Sequence, residues 1–381
     1  MLMTKPAPKT PRRAFGAGPA VSLFSLGTMR ALDSPEQLEQ VLEAALAAGI
    51  NHLETAPSYG PSESYLGRAL SRLGVARDQV VITTKILPNF DFEEGKRQLH
   101  QSLERLGVER LDNLAVHGLN LPEHLAWATA GPGAELLAWA QAEGLVGQVG
   151  FSSHGSNAVI EAALASGAFR FVSLHLHLFD PGRLPLAQRA LGQGLGVLAI
   201  SPADKGGQLY APPAQLSADC APFHPLELAY RFLLAQGISS LTLGAAQASD
   251  LAWAGRLAHG DGPLSTEEQR VITGLEQRRR QRLGASYCGQ CRACLPCPNE
   301  VPIPALLRLR NLAVGHGMDN HAKERYAMVG QAGHWFETVN AAACKNCGDC
   351  LPRCPLGLAI PELLADTHQR LAAAPGRRLW G

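Results

Sequence analysis

The sequence alternates short apolar runs with helical patterns across its first 260 residues, and this alternation constrains the fold most strongly. Eight runs rich in Val, Ile and Leu are predicted strands: 23–27, 52–55, 80–84, 113–116, 147–151, 171–176, 197–200 and 240–243. The runs are apolar throughout, which is typical of parallel strands covered by helices on both faces. Eight such units in roughly 250 residues fit an α/β fold of the (β/α)8 TIM barrel type. The alternative, an open doubly wound sheet, is expected to carry a G-x-G-x-x-G motif after the first strand, which this sequence lacks.

Eight of the nine cysteines form two arrays near the C-terminus. Each array has three cysteines at steps of three and a fourth that precedes a proline: Cys288, Cys291, Cys294 and Cys297, then Cys344, Cys347, Cys350 and Cys354. This spacing is typical of ferredoxins with two 4Fe–4S clusters, in which the fourth cysteine of one array binds the other cluster. Structural zinc is the alternative, but zinc ligands usually form two C-x-x-C pairs separated by a longer loop. The arrays therefore predict two 4Fe–4S clusters with crossed ligation.

The segments after the two arrays repeat each other. Residues 297–307 and 354–364 share Cys, Pro, Ile, Pro, Leu and Leu at the same offsets, which indicates a duplicated unit. Helical patterns at 305–314 and 321–329 fill the space between the arrays. We therefore predict a barrel over residues 1–260, a linker helix over 261–284, and a small, mainly α-helical iron–sulfur domain of ferredoxin type over 285–381.

Composition and charge argue against several classes of partner. Lys and Arg total 34 against 33 for Asp and Glu, so no overall field favours nucleic acid or an anionic membrane. No apolar stretch approaches the length of a membrane span, and residues 1–13 lack the apolar core of a secretory signal. Clustered cysteines suggest ligation in a reducing compartment, so we expect a cytoplasmic protein. The run of arginines at 278–282 is interpreted as a solvated helix face or as charge that offsets the clusters.

Four chemically distinct side chains follow three successive predicted strands, where a barrel of this kind has its active mouth. They are Glu54, Tyr59, Lys85 and His117. An ammonium beside a phenol favours the phenolate, so Lys85 is expected to make Tyr59 a usable acid near neutrality. Glu54 would hold Lys85 charged, and His117 would hydrogen-bond a carbonyl oxygen. This set suits reduction of a carbonyl, with hydride from a nicotinamide cofactor and a proton from Tyr59.

The segments that carry these residues resemble the aldo-keto reductase family: 49–60, 62–67, 83–85, His117 and 150–153. With the cysteine arrays, the chain resembles the branch of that family with a C-terminal 4Fe–4S ferredoxin-type domain. The resemblance implies that Tyr59 is the proton donor, Lys85 its pKa-lowering partner, Glu54 the orienter of Lys85, and His117 the carbonyl binder. It also implies that NAD(P)H is bound by Thr28, Met29, Glu54, Lys85, Ser152, Ser153, Ser201, Gly244 and Ala245.

Two positions depart from the family pattern, and alternative functions stay open. Glu54 stands where the family usually has aspartate, and Ile200 stands where an aromatic commonly stacks on the nicotinamide. A metal-dependent barrel hydrolase built on histidines, including His175 and His177, is one alternative. Another is a degenerate barrel that serves as a binding or electron-transfer module, with clusters that are structural or that relay electrons to a partner protein. The main prediction is an NAD(P)-dependent oxidoreductase that acts on a small carbonyl or alcohol substrate.

Overall fold

The computed structural model describes residues 11–203 and 208–374, which divide into two compact units. The first unit contains the residues up to 203 together with 229–264, and the second contains 208–228 and 265–374. Segment 208–228 therefore groups with the C-terminal part of the chain, whereas the sequence placed it in the barrel domain. The helix predicted as a linker is likewise part of the second unit.

The first unit contains a closed barrel of eight parallel strands that neighbour each other in sequence order. These strands are β3 Phe24–Gly27, β4 His52–Glu54, β5 Val81–Ile86, β6 Leu111–Val116, β7 Val146–Ser153, β8 Phe171–His175, β9 Gly196–Ile200 and β10 Ser240–Gly244. A short antiparallel pair, β1 Arg12–Arg13 and β2 Val21–Ser22, precedes them. Each predicted strand has its counterpart in the structure, so the prediction of an eight-stranded parallel α/β barrel is confirmed.

Helices fill the intervals between the strands of the barrel. In chain order up to residue 260 they are α1 Pro35–Ala47, α2 Ser62–Arg72, α3 Phe92–Leu106, α4 Pro122–Ala130, α5 Pro132–Ala142, α6 Asn157–Ala165, α7 Leu184–Gly192, α8 Ala214–Cys220, α9 Pro225–Ala235 and α10 Ala252–Arg256, of which α8 belongs to the second unit. Local signals fix several of their ends. Asp91 accepts a hydrogen bond from the backbone N–H of Glu94 at the start of α3, and Gly107 ends that helix in the left-handed conformation with φ 65°.

A chain of polar side chains crosses the barrel interior. His52 lies between the hydroxyls of Ser25 and Thr83, at 2.6 and 2.7 Å. Asn113 continues the chain by donating to Thr83 at 2.9 Å. Burial and the nearby charge of Lys85 lower the pKa of His52 to about 3, so this imidazole is neutral. These side chains therefore fill part of the barrel interior and satisfy one another by hydrogen bonds.

The second unit is mainly helical, as predicted. Its helices after residue 260 are α11 Thr266–Leu283, α12 Ile303–His316, α13 Asp319–Ala327 and α14 Ile360–Leu371. Helices α12 and α14 each have proline in the first turn, and each follows one of the cysteine arrays. Their apolar residues pack into one core that also contains Cys294 and Cys350.

The arginine run lies on α11 and forms ion pairs. Arg282 donates to both carboxylate oxygens of Asp219, and Arg278 lies 3.1 Å from the same carboxylate. Arg279 and Arg280 pair with Glu276 on the same helix. These pairs join α11 to segment 208–228, which explains why that segment groups with the second unit.

Candidate active site at the barrel mouth

The ammonium group of Lys85 lies at the barrel mouth, where three hydrogen-bond acceptors surround it. The group donates to the hydroxyl of Tyr59 at 2.8 Å and to the carbonyl oxygen of Thr55 at 2.9 Å. It also donates to the carboxylate of Glu54. Lys85 and Glu54 are 3% and 4% exposed, so this is a buried ion pair. Because an ammonium has three N–H donors, each one has a partner here.

The local register explains how these side chains meet. Glu54 is the last residue of β4, and β5 pairs with β4 in parallel through His52–Val81, Leu53–Ile82 and Glu54–Thr83. Lys85 lies two residues farther along β5, on the same face as Thr83, so its side chain reaches the end of β4. Tyr59 lies in the loop after β4 and approaches from above the strand ends.

The electrostatics of this cluster differ from the sequence-based expectation. Burial raises the pKa of Tyr59 to about 12, and the Glu54 carboxylate adds to that rise, while Lys85 opposes it. The expectation of a lowered Tyr59 pKa was therefore wrong for the protein without a bound cofactor. Burial and the Glu54 carboxylate raise this pKa by more than the Lys85 ammonium lowers it. Burial would lower the pKa of Lys85, but Glu54 and Tyr59 raise it. The site thus contains a protonated phenol beside a charged lysine.

His117 completes the group of four predicted residues. It follows β6 directly, is 7% exposed, and its ring lies 5.8 Å from the Tyr59 ring in an edge-on arrangement. The hydroxyl of Ser58 is 3.5 Å from His117 Nδ1, which is a long contact. The structure therefore brings all four predicted residues to one place, and their catalytic roles remain a prediction.

A small cavity adjoins Lys85 and His117. Apolar side chains provide much of its lining, and the residues that line it are Pro57, Ser58, Lys85, Ile86, Leu87, Phe90, Gln98, Leu99, Ser102, Leu114 and His117. Sequence reasoning missed Ser58, Phe90 and the carbonyl oxygen of Thr55. Their positions in loops after strand ends were the available signal, but loop conformation decides which of their atoms face the site.

Several residues predicted to bind the nicotinamide cofactor are buried, with their hydroxyls hydrogen-bonded to the protein. Thr28 is fully buried and bonds the Ser62 hydroxyl and the carbonyl oxygen of Glu54. The hydroxyl of Ser152 accepts from the Gly118 N–H at 3.0 Å, and that of Ser153 donates to the Leu119 carbonyl oxygen at 2.7 Å. In this structure these hydroxyls hold the loops that form the mouth. Their role as cofactor ligands stays a prediction.

The remaining predicted cofactor residues lie at other strand ends. Met29 follows β3, and Ser201 follows β9 with a left-handed backbone at φ 55°. Gly244 ends β10, and its carbonyl oxygen accepts from Arg30 at 3.1 Å, while the next residue, Ala245, is fully buried. Arg30 is thus a basic side chain beside the Gly244 loop, although it comes from the opposite end of the barrel sequence.

The histidines of the alternative hydrolase hypothesis do not form one cluster. His175 Nε2 lies 2.8 Å from His154 Nδ1, whereas His117 packs on Tyr59. Within residues 11–203 and 208–374, no group of three or more His, Cys, Asp or Glu side chains is arranged to hold a metal ion. The geometry therefore gives no support to a hydrolase site at the mouth.

The eight array cysteines line two small cavities in the second unit. The first cavity is lined by Cys288, Cys291, Cys294 and Cys354, and the second by Cys344, Cys347, Cys350 and Cys297. Each cavity therefore takes three cysteines from one array and the fourth from the other. Ile303 lines both cavities and lies between them.

Burial raises the pKa of three thiols in these cavities. Burial, followed by the neighbouring Cys288 and Cys291, raises the pKa of Cys294 to about 11. Burial likewise raises the pKa of Cys288 and of Cys350. Ligation of a metal centre requires thiolates, so binding in either cavity would release protons.

We expect Glu54→Gln to destabilise the barrel and to impair any chemistry at Tyr59. The change leaves the buried Lys85 without its anionic partner, which typically costs about 3 kcal/mol or more. It also removes the carboxylate that raises the pKa of Lys85. Chemical unfolding of Glu54→Gln and of the charge-retaining control Glu54→Asp would measure the effect. Equal losses in the two variants would contradict the ion-pair interpretation.

The structure is thus a (β/α)8-barrel protein with a buried lysine–tyrosine pair at its mouth. Residues 24–208 match the aldo/keto reductase family. The chain is 27% identical over 264 residues to an aldo-keto reductase from Mycolicibacterium vanbaalenii, covering 65% of this chain and 87% of that protein. It is 31% identical over 210 residues to aldo-keto reductase str7 from Strobilurus tenacellus, covering 52% of this chain and 60% of that protein. A match of 35% identity to an aldo-keto reductase from Mycobacterium sp. strain KMS covers 28% of this chain and 38% of the relative.

Solved structures show the same fold. The holo form of an aldo-keto reductase from Bacillus halodurans superposes with a TM-score of 0.59 at 21% identity, covering 69% of this chain and 95% of that one. The family match covers just under half of the chain, and together with the relatives it makes the barrel similar to aldo-keto reductases. Within the described residues, every helix is too short or too polar to cross a membrane.

Proposed function

We propose that the chain reduces a small carbonyl compound, or oxidises the matching alcohol, with NAD(P)H or NAD(P)⁺ as the hydride carrier. The observation that carries this proposal is the 2.8 Å contact between Lys85 Nζ and the Tyr59 hydroxyl, with Glu54 on the other side of the ammonium. The bound nicotinamide supplies the hydride. The residues of the chain hold the substrate and move one proton.

Tyr59 is the proton donor in this proposal. Lys85 donates to the tyrosine oxygen, so the phenol keeps its own proton for a carbonyl oxygen. With a pKa of about 12, Tyr59 is protonated at neutral pH. An alkoxide is more basic than a phenolate, so the proton still moves downhill once negative charge has developed on the substrate oxygen. Lys85 then stabilises the phenolate that remains.

The other members of the site act on position and charge. Glu54 keeps Lys85 charged and fixes its direction, since the carboxylate and the Thr55 carbonyl oxygen take two of its three N–H groups. His117 lies beside the Tyr59 ring, and in this proposal it hydrogen-bonds the carbonyl oxygen of the substrate. The cavity beside Lys85 and His117 is lined largely by apolar side chains, which favours a compact substrate with apolar substituents and a low local dielectric.

We also propose that the second unit binds two 4Fe–4S clusters with crossed ligation. The support is chemical and geometric: each cavity is lined by four cysteines, three from one array and one from the other. Each thiolate of a 4Fe–4S cluster binds a different iron atom, so its four sulfurs lie farther apart than the ligands of one ion. Among the described residues, no group of three such side chains is arranged around a single ion. Clusters of this kind suit a reducing compartment such as the cytoplasm, and a one-electron partner protein would be their natural redox partner.

Anaerobically purified chain tests the enzymatic proposal. We expect NADPH or NADH to be consumed in step with reduction of at least one compound in a panel of aldehydes, ketones and sugars. Comparison of turnover with NADPH and with NADH also identifies the preferred nicotinamide, which the presence of Arg30 near Gly244 does not. Absence of turnover with either nicotinamide across the panel would contradict the proposal and favour the barrel as a binding module.

A further inference from the structure

The two cysteine loops share one backbone conformation in their first halves. Gln290 and Asn346 occupy equivalent places, two residues after the first cysteine of each array, and both have positive φ, at 60° and 54°. Two residues later, Arg292 and Gly348 also have positive φ, at 65° and 83°. The same turn follows in each loop, closed by hydrogen bonds of 3.0 Å from the N–H of Leu295 to Arg292 and 2.9 Å from the N–H of Leu351 to Gly348. The first halves of the two loops are therefore alike in backbone, although the Leu295–Pro296 peptide bond in the first loop is cis and the second array has one more residue before its fourth cysteine.

A side-chain difference lies at the first cysteine of each array. The side-chain amide of Gln290 donates a hydrogen bond to the sulfur of Cys288 at 3.3 Å. Asn346 is one methylene shorter, and among the described residues no side chain donates to the sulfur of Cys344. A sulfur that accepts an N–H bond gains more from that bond as its negative charge grows. Reduction of a cluster adds negative charge to its ligands, so such a bond favours the reduced state.

The charges around the two cavities also favour reduction of a cluster in the first cavity. Arg292 lines the first cavity, and none of its described lining residues is acidic. The second cavity is lined by Arg353 but also by Asp349, whose carboxylate opposes the effect of the arginine. Added electrons are therefore stabilised more at the first cavity by charge as well as by hydrogen bonding.

We propose that Gln290 sets the first cluster at a higher reduction potential than the second, so that an electron entering the domain resides on the cluster held by Cys288, Cys291, Cys294 and Cys354. This inference rests on the proposed binding of two 4Fe–4S clusters. The repeated cysteine spacing makes the two centres look equivalent. The difference in their reduction potentials is assigned to the side-chain amide of Gln290.

The test is a redox titration of the anaerobic full-length chain with dithionite, followed by electron paramagnetic resonance of the reduced clusters. Gln290→Met removes the amide and keeps the side-chain length, and Asn346→Met is the matched control in the second loop. Gln290→Gly is a second variant, because glycine tolerates the positive φ at this position without strain. Iron and sulfide content are measured on every sample.

We expect two midpoint potentials in the unmodified chain. Gln290→Met should lower the higher potential by about 59 mV, which for one electron is about a tenfold change in the ratio of reduced to oxidised cluster. Asn346→Met should leave both potentials in place. An unchanged higher potential in both Gln290 variants, or a shift of the lower one instead, would overturn the inference while leaving the clusters established. Absence of iron and sulfide from the unmodified chain would overturn the cluster proposal itself.

Discussion

Replacement of Tyr59 by phenylalanine is expected to reduce kcat for carbonyl reduction by about 10²- to 10⁴-fold, the usual contribution of a positioned proton donor. The variant keeps the ring that packs beside His117 and loses only the hydroxyl that contacts Lys85. Binding of the nicotinamide should change little, since the hydroxyl is used in the chemical step. Steady-state kinetics with the best substrate of the panel measures the effect.

Tyr65→Phe is the matched control for that experiment. Tyr65 lies six residues away on α2, is partly exposed, and has no described hydrogen bond through its hydroxyl. It should retain kcat within about twofold, because surface substitutions away from a site have small effects. A Tyr59→Phe variant as active as Tyr65→Phe would show that another group delivers the proton.

Pairs of cysteine substitutions are expected to reveal crossed ligation through iron content. The unmodified chain should contain about eight iron and eight sulfide per chain, four of each per cluster. Cys297→Ser combined with Cys344→Ser removes two ligands from the second cavity and should leave about four iron. Cys354→Ser combined with Cys344→Ser removes one ligand from each cavity and should leave little iron in either.

The uncrossed arrangement gives the mirror image of this result. If Cys297 binds with its own array, the first pair of substitutions would deplete both clusters and the second pair would deplete one. Cys220→Ala is the matched control, since this cysteine is buried in α8 outside both arrays. It should keep the full iron and sulfide content. Stoichiometric zinc in place of iron would contradict the cluster proposal.

The sequence was sufficient to predict those features that depend on strand order and on local spacing. Continuously apolar runs mark parallel strands, and residues just beyond their C-terminal ends must meet at one mouth, which is why Glu54, Lys85 and His117 were found together. The cysteine arrays likewise carry their grouping in their spacing, and Cys354 lines a cavity with three cysteines of the first array, while crossed ligation stays a prediction.

Features that depend on long-range packing were not predictable in this way. The pKa of Tyr59 depends on how deeply the loop after β4 is buried and on how far the Glu54 side chain reaches, which no local pattern encodes. Ser153 turns its hydroxyl to a backbone carbonyl of the neighbouring loop instead of the mouth. Segment 208–228 joins the second unit through Asp219 and Arg282, which are 63 residues apart in the chain.

Transfer of an isotopic label tests most directly whether hydride passes from the nicotinamide to the substrate within the barrel. The chain is supplied with nicotinamide carrying deuterium at the transferable position, and the alcohol product is analysed by mass spectrometry. We expect one deuterium on the former carbonyl carbon, because the hydride passes directly to it. A product without deuterium would mean that the electrons reach the substrate by another route, such as the clusters. This result would contradict direct hydride transfer from the nicotinamide.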